Sequence, residues 1–133
     1  MKHITIFALF LFLAGCSGNV ALKGTVTFSD DNQPVPAGTV VFLKDGKIAR
    51  GNINPNGTYV VGFEGVADGL PPGTYQVYIS GAEEIVDTDE ETGEVTRKPL
   101  IDPKYTRPET SGLTLDVTSS TKTHDIKVER FKE

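Results

Sequence analysis

The chain has 133 residues, a formal net charge of −5 with histidine neutral, one cysteine and no tryptophan. An acidic chain argues against a charge-driven grip on nucleic acid or on anionic lipid, and a single cysteine excludes an internal disulfide. The length suits one domain with its own core.

In chain order, Lys2 precedes an apolar run, ITIFALFLFL, at residues 4–13. Ten helical residues rise about 15 Å, roughly half the thickness of a bilayer's hydrocarbon core, so the run reads as a signal peptide rather than a span. Leu13, Ala14 and Gly15 follow as signal-peptidase recognition residues, and Cys16 stands directly after them. "LAGC" resembles the lipobox of bacterial lipoproteins. That resemblance implies removal of residues 1–15, diacylglycerol on the Cys16 sulfur, and anchoring of the new N-terminus by acyl chains of the palmitate kind. An unpaired thiol is unusual in an oxidising compartment, and two or three acyl chains on one residue hold far more firmly than one. Ser17 resembles the outer-membrane sorting pattern where a second membrane exists. The expected organisation is a signal peptide at 1–15, a lipidated tether at 16–19 and one body at 20–133. Processing would leave 12 basic against 18 acidic residues, about −6.

The body contains no convincing helical period and many short alternating runs broken by Gly, Pro, Asn and Asp, which predicts an all-β fold. In the first run, 20–28, Val20, Leu22, Gly24, Val26 and Phe28 share one face, and Lys23, Thr25 and Thr27 lie on the other. "TVVFLKDGKIARGNI" predicts two strands around Asp45-Gly46, a pair suited to a tight hairpin. A fourth strand is expected near 58–63. Tyr75, Val77 and Ile79 line a fifth, then Leu113, Leu115 and Val117, and lastly Ile126 and Val128. Three Gly-Thr pairs, in AGTVVF, NGTYVV and PGTYQV, each open a strand; their unequal intervals make them recurring turn chemistry rather than a duplicated module. About seven strands with this spacing predict a β-sandwich.

The order of "LKGTVTFSDDNQPVPAGTVVF", "GNINPNGTYVV", "LPPGTYQVYISG" and "IDPKYTRPETSGLTLDV" is similar to the carboxypeptidase regulatory-like, or transthyretin-like, domains of bacterial envelope lipoproteins. The resemblance implies a seven-stranded Greek-key sandwich without catalytic residues. The chain is therefore expected to be a non-catalytic structural or protein-interaction module needing no cofactor.

The most acidic stretch, 83–100, holds Glu83, Glu84, Asp87, Asp89, Glu90, Glu91 and Glu94. It reads as a hairpin inserted between two sandwich strands and turning near EETGE; it is either a merely solvated loop or a contact for an unidentified envelope protein. A calcium loop of the EF-hand type counted from Asp87 fails, because its sixth and twelfth positions hold Thr92 and Lys98 in place of Gly and Glu. His124, alone after processing, lacks companions for a zinc site. No serine sits in a nucleophile elbow. Adhesins with similar sandwiches form lysine isopeptide crosslinks, but Lys23 falls on the outer face, where desolvation is missing. Asn56 in NGT is explained as a turn. Tyr59, Tyr75, Tyr78 and Tyr105 raise the alternative of a carbohydrate-binding module for envelope polysaccharide, although Tyr75 and Tyr105 are assigned to the core and to a loop anchor.

Overall fold

The computed structural model describes residues 18–65 and 67–133. The expected signal peptide, its recognition residues Leu13, Ala14 and Gly15, and Cys16 lie outside the described residues. Among those described, nine strands follow one another: β1 Lys23–Phe28, β2 Thr39–Lys44, β3 Lys47–Asn52, β4 Thr58–Val60, β5 Gly73–Ser80, β6 Glu83–Thr88, β7 Val95–Pro99, β8 Leu113–Val117 and β9 Ile126–Val128. They form a three-stranded sheet of order β4-β1-β9, a four-stranded sheet of order β3-β2-β5-β8, and a separate two-stranded ribbon, β6-β7. The all-β expectation holds. All strand pairs are antiparallel except β1 with β9, which run parallel.

Alternation explains which faces turn inward. Val26 and Phe28 of β1, Val40 and Phe42 of β2, and Tyr75, Val77 and Ile79 of β5 are all buried in one core. Ile126 and Val128 of β9 join them, as the two-residue period predicts. Asp45 and Gly46 both take positive φ, 49° and 77°, so the β2–β3 connection has the backbone twist that a two-residue hairpin loop needs. Asn56 makes a local turn as expected, its Oδ1 accepting from Thr58 N at 3.2 Å and Thr58 Oγ1 at 2.6 Å.

Three details depart from the sequence pattern. Regular pairing in the first run begins only at Lys23, because Val20 is drawn aside into an antiparallel bridge with Leu70. The fourth strand stops at Val60 rather than reaching 63; Gly62 instead exchanges hydrogen bonds with Arg50 of β3, and Asp68 folds the following loop by accepting from the amides of Phe63, Glu64 and Gly65. Leu113 and Leu115 are only half-buried, because β8 lies at the rim of its sheet.

One polar cluster sits inside this apolar interior. Gly24 pairs with Tyr59 across β1 and β4, and the Tyr59 hydroxyl donates to the carbonyl of His124. A Cβ on Gly24 would collide with that carbonyl and lie 2.8 Å from Tyr59 Oη. The ring of His124 packs against Phe42, centroids 6.4 Å apart, and its Nε2 is enclosed with no hydrogen-bond partner among the described residues. Burial pushes the imidazole below its ordinary value of 6.5, with the Asp125 carboxylate opposing, and burial raises the Tyr59 hydroxyl.

Two outcomes follow from this cluster. Gly24→Ala is expected to lower the unfolding free energy by about 1–3 kcal/mol, since the new carbon meets backbone that cannot rotate away; an unchanged urea midpoint would contradict it. His124 resists protonation in the folded state, so the unfolded chain takes up its proton first. Stability should therefore be complete above pH 6.5 and decline as the pH falls below it, until the folded-state ring also titrates. Urea unfolding at pH 7.5 and 5.5 should show this slope, and His124→Phe should flatten it.

Candidate interaction surface

The ribbon at residues 83–99 leaves the body between β5 and β8. Its reversal is written locally. Asp89 Oδ1 accepts from Glu91 N at 2.8 Å and Thr92 N at 3.3 Å, Gly93 takes φ 76°, and Gly93 N and Glu94 O close the turn onto the Asp89 backbone. This is the turn expected near EETGE, with Asp and Gly in the positions their chemistry favours. The ladder runs from Glu83 opposite Pro99 to Thr88 opposite Val95, with a bulge between Ile85 and Asp87 that leaves Val86 unpaired.

An isolated two-stranded hairpin is marginal in water, so its root must be held. Ala82 and Ile101 are buried where the two strands enter and leave the body, and Leu100 N donates to Ala82 O at 2.9 Å. The C-terminal tail runs beside the outgoing strand: Asp102 N to Glu129 O and Phe131 N to Leu100 O are both 3.0 Å, and Lys98 meets Glu133 at 2.6 Å. That contact raises the Lys98 ammonium and lowers the Glu133 carboxyl from their ordinary values. Next to it, a 3-10 turn at Pro103–Thr106 buries Tyr105, whose hydroxyl accepts from Glu129 N at 3.1 Å. Tyr105 is thus the loop anchor that its sequence setting suggests.

Beyond the root the ribbon stands in solvent on both faces. All seven expected carboxylates are exposed on it, and none takes part in an ion pair among the described residues. Against these seven acids the ribbon carries only Arg97 and Lys98, a net −5, whereas the remaining described residues carry eleven acidic and ten basic side chains. The charge of the molecule is therefore concentrated on one protrusion. Ile85, Val86 and Val95 are 55%, 52% and 41% exposed there; the only other large hydrophobic residue so exposed among the described residues is Val60. These three apolar residues escape a reading based on charge, although the run EEIVDT displays two of them between carboxylates.

Other sequence candidates fall elsewhere. Tyr59, Tyr75 and Tyr105 are buried and Tyr78 is partly covered, so the tyrosines assemble no stacking platform. Lys23 is exposed on the outer face of β1. No group of three or more metal-ligating side chains converges among the described residues. A depression of about 500 Å³ forms an open groove over Arg50, Asn52, Val60, Phe63 and Glu64, and the described residues lining it include no hydroxyl, thiol or imidazole. Among the described residues, no helix is long and apolar enough to cross a membrane.

No family model matches the chain, and no curated protein matches it. Among solved structures it is similar to the major pilin subunit of Bacillus cereus, at 18% identity and TM-score 0.47, over 86% of this chain and 30% of the pilin. A DUF3823 family protein from Bacteroides ovatus aligns at 14% identity and TM-score 0.45, over 83% of this chain and 44% of the other. A 9R-lipoxygenase from Cyanothece aligns at 12% and 0.39, over 96% and 18%. The chain spans less than half the length of each of these proteins. At TM-scores below 0.5 the likenesses transfer no activity to this chain.

The tip geometry has a direct consequence. Asp89→Ala removes the acceptor for two turn amides, and amide exchange along residues 83–99 is expected to quicken roughly two- to tenfold while exchange in the core of the body stays unchanged. Equal acceleration in both regions would mean that the ribbon does not open on its own.

Proposed function

We propose that this protein is a lipid-anchored, non-catalytic module of the bacterial cell envelope that meets another envelope protein through the ribbon at residues 83–99. One observation carries the reading: a body close to neutrality holds out a ribbon of net −5 on which three apolar side chains stay uncovered. Solvated loops are commonly acidic, but uncovered Ile and Val among those acids make a surface suited to a partner, with apolar area to bury and charge to select. The partner this favours is basic.

Attachment rests on Leu13, Ala14, Gly15 and Cys16, with the acyl chains holding the body at a membrane, the outer one in cells that have two. The fold type belongs to the same reading. Sheets of three and four strands with a ribbon inserted before β8 accord with the Greek-key, transthyretin-like sandwich that the motif order resembles. Polysaccharide is the less favoured partner, since the tyrosines that would stack on sugar are mostly buried.

Two arms test the proposal in the native host. Cys16→Ser should shift the protein from the membrane to the soluble fraction or leave its leader uncut, and intact mass should reveal lipid on the unaltered chain. A photocrosslinker placed at Glu84 should give a discrete protein adduct that one placed at Lys47, on the β2–β3 turn, does not. An unmodified Cys16 would sink the anchor, and identical adducts from both positions, or none, would sink the role of the ribbon.

A further inference from the structure

The ribbon carries one feature that charge alone does not use, an open strand edge. Proteins blunt such edges with short strands, lysine, proline or covering segments. In this molecule β4 and β9 have only three residues each, and β3 carries Lys47 and Arg50. The outer side of β7 is occupied at its root by the tail, through the Ile101–Arg130 bridge and the Lys98–Glu133 ion pair, and its last residue, Pro99, has no N–H to offer. The edge of β6 has no lysine, proline or covering segment; a bulge and carboxylates are what guard it. Its six residues are all exposed, and among the described residues it pairs with β7 alone.

We infer that the outer edge of β6 accepts a short basic segment of the partner protein as an added strand. The inference rests on the reading of the ribbon as the partner contact and names how that contact is made. Main-chain hydrogen bonds along an open edge supply the grip, and side chains at alternate positions supply selectivity. The chemistry of β6 dictates the occupant. Glu83, Glu84 and Asp87 are acidic and the strand has no cation, so lysine or arginine opposite them is favoured and a carboxylate is repelled. Pairing with the same strand of a second copy is excluded by the same rule, since it would set acid against acid. Ile85 and Val86 call for β-branched or other apolar residues between the basic ones. The bulge between Ile85 and Asp87 increases local twist, which limits the added strand to a few residues.

The test titrates the isotope-labelled mature protein, in detergent and at low salt, with a capped six-residue peptide alternating lysine and valine. Amide shifts and slowed exchange are expected along Glu83–Thr88. N-methylating the alternate residues that face the edge should weaken binding about tenfold or more, as two or more main-chain bonds are lost. The double variant Glu84→Lys with Asp87→Lys should instead prefer a glutamate–valine peptide. Shifts centred on β8, the other uncovered edge, an N-methylated peptide that binds within twofold of the parent, or no shift at millimolar peptide would each overturn strand addition. The two ideas fail separately: equal binding of the N-methylated peptide leaves an electrostatic contact through the ribbon intact. A failed crosslink at Glu84 alongside normal peptide binding removes the cellular role but not the edge.

Discussion

The two larger sheets are held in register by the contacts around Phe42. From β2 its ring reaches Tyr59 of the opposite sheet at 6.3 Å, Tyr75 of its own sheet edge-on at 6.4 Å, and His124. Both tyrosine hydroxyls find backbone acceptors, Tyr59 at His124 and Tyr75 at Pro71 at 2.6 Å, so the rings can be buried without stranding a polar group. The arrangement requires Gly24, because any side chain there would occupy the space of the Tyr59–His124 bond. Once this junction is set, the inner face of β5 is fixed, and with it the point at which the ribbon departs.

The division of labour between body and ribbon follows from that placement. The body buries its apolar faces and nearly balances its charge. Where Arg130 lies over Phe28 and meets Asp30 and Asp31, even the terminal segment is tied back to the first strand. The ribbon is held only at its root and turn, and like charges crowd its tip. Its carboxylates repel one another and the same surface on any copy of the chain, which keeps an open edge from propagating into aggregates. A basic segment would relieve that repulsion as it pairs, so specificity and solubility come from the same residues.

Much of the fold is legible in the sequence because strand alternation is a local property. Val26 and Phe28, Tyr75 through Ile79, and Ile126 with Val128 each face the way their spacing says. The turns at Asp45-Gly46, Asn56-Gly57 and Thr92-Gly93 are equally local, since each depends on the conformational freedom of glycine, joined in the last two by side chains that cap neighbouring amides. The misreadings occur where distant segments intervene. Val20 leaves the first strand for Leu70, and the fourth strand gives way at Gly62 to a bridge with Arg50. Nothing within those short windows announces the partner, because the competing hydrogen bonds come from elsewhere in the chain.

The sequence alone determined an all-strand body, its inward faces, its turns and the concentration of acid at residues 83–94, since all of these follow from periodicity and composition. Tertiary structure decided which strands became neighbours, including the parallel pairing of β1 with β9. It also decided that Tyr59 would be spent on the core and that Ile85, Val86 and Val95 would remain in solvent. The physical reason is that burial and edge pairing are relations between segments: whether an isoleucine is covered, or a backbone N–H is free, depends on what the rest of the chain places beside it.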